Sequence, residues 1–88
     1  MKTYHSRSKR RLEAKLFVSS EYGLTYAIER VLREHSDAIA EFKRGDASAV
    51  AVISGDVHRV LEMNGFSGPF AVVRDRVQSL MTRRYLMN

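Results

Sequence analysis

Phe42-Lys43-Arg44-Gly45-Asp46-Ala47-Ser48-Ala49-Val50-Ala51-Val52-Ile53-Ser54-Gly55-Asp56-Val57 is the stretch whose reading decides the fold. It holds two glycines ten positions apart, each followed by aspartate, with apolar residues between them at helical spacing. Gly45 supplies the left-handed residue that commonly ends a helix, so a short helix opened by Ser36 as N-cap and carrying Ile39 and Phe42 is expected to close there. Asp46 then restarts the chain. Its carboxylate accepts from the free amides of the next turn and suits the positive end of that helix's dipole. Val50, Ile53, Val57, Val60 and Leu61 fall on or near one stripe, which predicts a helix to about Asn64 with Gly65 beyond its end. Ala49 to Ile53 has the composition of a buried strand, but the flanking periodicity and length favour helix. Gly55 lies inside that helix, where glycine costs about 1 kcal/mol against alanine. Close approach of the last helix is the expected compensation.

The same patterning extends outward on both sides. Toward the N-terminus, residues 8–18 can form a helix with Leu12, Leu16 and Phe17 inward. Ser19 or Ser20 can cap the next one, whose apolar positions Leu24, Ala27, Ile28, Val31 and Leu32 recur at helical spacing, with Gly23 weakening the first turn. Toward the C-terminus, Ser67-Gly68-Pro69 opens a helix with proline in its first turn. Its stripe of Phe70, Val73, Val77, Leu80 and Met81 continues toward Tyr85. The expected fold is therefore all-α: one bundle of four to five short helices over residues 12–88, preceded by a basic arm at 1–11.

Eighty-eight residues suffice for one domain, whose net stability should be roughly 4–13 kcal/mol. A partner or a second copy of the chain would add to that, so a homodimer is compatible with the sequence. No cysteine is present, which removes thiolate nucleophiles, zinc thiolate sites and redox chemistry from consideration. The longest apolar run is too short to span a bilayer, and the basic start leads into Leu16-Phe17-Val18 rather than a signal-peptide core. A soluble, cytoplasmic protein without membrane contact is expected.

Charge is segregated along the chain. Residues 1–15 hold six basic side chains and one acidic, residues 16–73 five and eight, and the remainder four and one, for a net charge of +5. Arg7, Lys9, Arg10, Arg11 and Lys15 at one end, with Arg83 and Arg84 at the other, suit phosphate contacts, because each cation can displace condensed counterions. Tyr4 beside the first cluster can stack on a base. Neither cluster comes with a zinc-finger spacing, a helix-turn-helix signature or an RNA-recognition motif, so base-specific readout is not indicated.

The stretch from Ser36 to Leu80 resembles the small helical domain shared by the YqeY proteins and the C-terminal tail of the B subunit of the tRNA-dependent amidotransferase. Phe42-Lys43-Arg44-Gly45 matches that domain's aromatic, Lys, any, Gly turn, and Ile53-Ser54-Gly55-Asp56-Val57-His58 its Leu-Val-Gly-Gln-Val-Met segment. The ten-residue glycine interval and the Gly65 and Pro69 pair also match. Asp56 and His58 replace the family's Gln and Met, and Phe66 stands where a lysine is expected. The resemblance implies a helical fold and, through the amidotransferase tail, contact with tRNA.

Other constellations have plainer readings. His58 and Glu62 lie four apart with Asp56 nearby, which permits metal or acid/base chemistry but is explained by an ion pair or a histidine at a helix interface. His5 and His35 have no partner at ligand spacing. The 64–69 turn before a helix could hold an anion on its amides, though Pro69 removes one of them. Met63, Met81, Met87, Phe66 and Tyr85 are expected in the core or at an interface, and joint exposure of Phe66, Phe70 and Tyr85 would make a large apolar patch. No nucleophile with its base and no cofactor motif can be assembled. The expectation is a non-enzymatic adaptor binding nucleic acid, RNA such as tRNA over DNA, through its basic termini and without a cofactor. The alternative is a protein-interaction module, a phage-type or bacterial regulator using an apolar helix face.

Overall fold

The computed structural model describes residues 20–87, so the helix expected at 8–18 and the basic arm lie outside the described residues. Within them stand four α-helices, α1 (Glu21–Arg33), α2 (Ser36–Lys43), α3 (Ser48–Met63) and α4 (Phe70–Met81), and a closing π-helical turn, Thr82–Leu86. No strand occurs among the described residues, and the fold is an all-α bundle. None of these helices is long and apolar enough to cross a membrane.

Helix ends follow local chemistry. Ser20 caps α1 by accepting from the Gly23 amide at 3.1 Å. Gly45 closes α2 with φ +100°, the Gly45 amide donating to Phe42 O and the Asp46 amide reaching back to Glu41 O, which together satisfy two orphan carbonyls. Gly65 repeats this device after α3, with its own amide on Glu62 O and the Phe66 amide on Leu61 O. Two amides of the 64–69 turn are thereby used internally, which weakens the anion reading of that turn. Asp46 restarts the chain as expected: its Oδ1 accepts from the Ser48 amide at 2.9 Å and the Ser48 hydroxyl at 2.6 Å. Those two donors hold the Asp46 carboxyl below its ordinary value.

Two helix starts differ from the sequence reading. Ser36 is the first residue of α2 rather than its cap, because only Glu34 and His35 join α1 to α2 and their amides already bond to Val31 O and Leu32 O. His35 takes the capping position without a side-chain cap. Pro69 likewise sits at the cap of α4 with extended backbone, and the helix begins at Phe70.

The core gathers around α3, which packs against each of the other three helices. Ile53, Val57 and Leu61 from α3 meet Ile28 and Leu32 from α1, Phe42 from α2, and Val73, Val77 and Met81 from α4, all buried. Burying a side chain of this kind stabilises by about 1.5–3 kcal/mol each, so the predicted apolar stripes account for the assembly, except that Phe70, expected on the α4 stripe, stands exposed. Phe66 and Tyr85 pack half-buried against this core, so the patch with Phe70 does not form. Met81 is a core residue, whereas Met63 and Met87 stand exposed.

Gly55 overturns its expected role. A Cβ built there meets nothing within 4 Å, so no neighbouring helix approaches it. α3 turns its preceding residue inward instead: Ser54 is fully buried, and its hydroxyl has no hydrogen-bond partner in the structure. The close backbone approach belongs to Gly68, where a Cβ would overlap the Phe66 ring.

Candidate functional site

The inward side of α1 is set by Gly23, Leu24, Ala27, Ile28, Val31 and Leu32. Helical periodicity therefore places Tyr22, Tyr26, Glu29, Arg30 and Arg33 on the outward side. Tyr22 is 82% and Tyr26 59% exposed. Tyr26, Glu29, Arg30 and Arg33 line a shallow groove on this face.

Two arginine forks tie the C-terminal part of the chain to α1. Arg76 grips Glu21 through both guanidinium Nη atoms, and Arg84 grips Glu29 in the same way, with Nη2 at 3.0 Å from Oε2. Partners eight residues apart on α1 meet partners eight apart at the other end, so α1 and the α4 segment run in the same direction. Hydrogen bonds from Arg84 hold the Glu29 carboxyl below its ordinary value, and Arg33 adds to the effect by charge alone. Arg76 does the same for Glu21. Both arginines are raised in turn. Lys43 Nζ lies 5.3 Å from the Tyr85 ring centroid, a cation–π contact that joins the end of α2 to the closing turn.

Of the basic residues singled out in the sequence, Arg7, Lys9, Arg10, Arg11 and Lys15 lie outside the described residues. Arg83 is exposed. Arg84 is engaged: both its Nη atoms hold Glu29, which lines the groove with Arg30 and Arg33, so its charge is spent on that carboxylate. Sequence reasoning missed Arg30, Arg33, Tyr22 and Tyr26 as surface partners. The signal was present as the polar and aromatic positions opposite the Leu24, Ile28 and Val31 stripe, whereas the pairing with Glu29 carries no local signature.

His35 and His58 belong to the scaffold. His58 lies at the interface of α3 with the following turn, its Nε2 3.3 Å from Gly68 O, its Nδ1 3.5 Å from Glu62, and its ring edge-on to Phe66 and Phe70. His35 does have a partner, 21 residues away: Nε2 is 2.6 Å from Asp56 Oδ2, and Nδ1 is 2.9 Å from Val31 O. Arg59 completes the cluster with a 2.7 Å bond to Asp56 Oδ1. This group pins the α1–α2 corner to α3. Among the described residues no group of three or more histidine, cysteine, aspartate and glutamate side chains is arranged to hold a metal ion.

The structure thus defines a small all-α bundle with a cationic and aromatic outer face on its first described helix. Comparison with protein-family models, curated proteins and solved structures finds no match for this chain.

Proposed function

We infer that the chain is a non-enzymatic adaptor that binds nucleic acid through its basic ends, RNA in preference to DNA. One observation supports this reading: Arg30 and Arg33 line a groove on α1 together with Glu29, the carboxylate held by the Arg84 fork, and in the sequence the segment holding Arg7, Lys9, Arg10, Arg11 and Lys15 precedes that helix. Arg30 and Arg33, the exposed Arg83 and the basic N-terminal segment then serve one phosphate-bearing ligand, while the charge of Arg84 is spent on Glu29. Glu29, the carboxylate within the face, is neutralised by the fork, so it does not repel phosphate at full strength. The preference for RNA comes from the resemblance of residues 36–80 to the YqeY and amidotransferase-tail domain. In this reading that half of the chain is the scaffold and the phosphate contacts lie at the ends, since Phe66 stands where the family turn is basic.

Replacing Lys9, Arg10 and Arg11 together by alanine tests it. Affinity for RNA should fall for every sequence tried, and the slope of log affinity against log salt should flatten by about 0.7–0.9 for each phosphate no longer neutralised. The far-UV spectrum should be unchanged. An affinity and salt slope equal to wild type would overturn the reading. So would nuclease-resistant recovery of one stoichiometric protein from lysate without RNA, which is the outcome a protein-interaction module requires.

A further inference from the structure

We propose that the outer face of α1 is a stacking platform for unpaired bases, with Tyr22 as the aromatic seat and Arg30 and Arg33 as phosphate contacts farther along the same face. The proposal rests on the nucleic-acid reading above and specifies the form of the ligand: a single strand or an unpaired loop rather than a duplex.

Tyr22 is the most exposed aromatic side chain among the described residues, at 82%. It adds nothing to the core, whose α1 contribution comes from the opposite side of the helix. Tyr26 follows one turn later on the same side, about 6 Å along the axis at the helical rise, and Arg30 and Arg33 continue the line. The chemistry of this row, a ring face followed by fixed cations, fits a chain in which flat bases alternate with phosphates. A duplex does not offer that pattern. Its bases are stacked on one another at about 3.4 Å, closed to side chains, whereas unpaired bases can splay out and stack on aromatic rings. Spacing agrees: the two residues are about 6 Å apart along the helix axis, nearly twice the rise between stacked base pairs, a step that an extended strand can match. The Arg84 fork on Glu29 removes the carboxylate charge from the middle of the row, leaving Arg30 and Arg33 as its exposed charges.

The test uses the full chain with two probes, a short single-stranded oligoribonucleotide and the duplex formed with its complement. Wild type should bind the single strand more tightly. Tyr22→Ala should weaken single-strand binding by about five- to 150-fold, the range for removing one base stack, and leave duplex binding unchanged, while Tyr22→Phe should keep most of the affinity. The chain has four tyrosines and no tryptophan, so stacking can be followed directly: the single strand should quench tyrosine fluorescence, and Tyr22→Phe should lose part of that quench. Arg30→Ala and Arg33→Ala should each flatten the salt slope by about 0.7. Equal affinity for the two probes, or wild-type affinity in Tyr22→Ala, overturns the platform and leaves the phosphate-binding reading intact. Failure to bind either probe overturns both.

Discussion

Gly55 occupies the eighth position of the sixteen-residue α3, in the middle of the helix on which the core is built. Its backbone φ is not positive, so an L-residue is accommodated without strain. A Cβ added there meets no heavy atom within 4 Å, so overpacking has nothing to act on. What remains is the backbone term: alanine is favoured over glycine in a helix interior by about 0.8–1 kcal/mol, chiefly because glycine's unfolded chain is freer. Gly55→Ala should therefore stabilise the isolated protein by about that amount, raising the thermal midpoint by about 4–8 °C for a domain of this size. Urea denaturation followed by circular dichroism should show a higher midpoint with an unchanged slope, since the folded and unfolded surfaces hardly differ. Gly68→Ala is the control of opposite sign, because its Cβ would overlap the Phe66 ring and force that ring from its place against His58 and the core. A loss of about 1 kcal/mol or more in Gly55→Ala would refute the reasoning and mean that something does cover Gly55.

Three further outcomes follow from the geometry. Gly45→Val should cost about 1–2 kcal/mol, because the +100° φ at Gly45 is one that a β-branched residue adopts poorly; an unchanged urea midpoint would mean that α2 does not end as described. Ser54→Ala should hold or raise stability, by up to about 1–3 kcal/mol, because it removes a buried hydroxyl that has no partner; a clear drop in calorimetric midpoint would count against that account. Arg84→Ala should cost no more than about 1 kcal/mol at neutral pH, as the fork is partly exposed and screened. Because Arg84 depresses the Glu29 carboxyl below 4.5 in the folded state, its stabilisation is complete above about pH 4.5 and is lost as pH falls through the lower folded value. Wild type and Arg84→Ala should accordingly converge in acid, and a gap that widens there would contradict the sign.

The acidic and basic residues of α1 and the C-terminal turn illustrate how far the linear pattern reaches. Glu21 and Arg76 are 55 residues apart, as are Glu29 and Arg84, and His35 and Asp56 are 21 apart. In each case both residues are visible in the sequence, yet nothing in either neighbourhood points to the other. Arg83 and Arg84 could be read from sequence as free cations, whereas only one of them stands clear of a carboxylate in the fold.

By itself the sequence determined the four described helices, most of their ends and most of the core. Ser20, Gly45, Asp46 and Gly65 act on backbone groups no more than five positions away, and the stripes of α1, α3 and α4 follow from a period of about 3.6 residues, so both are local properties that chain order alone specifies. Tertiary structure decided the rest. It left Gly55 facing open space while burying Ser54, exposed Met63 and Met87 while burying Met81, and brought Arg84 to Glu29. Those outcomes depend on which side of each helix its neighbours occupy. That is fixed only when all the apolar stripes are buried together, and no single stripe contains the information.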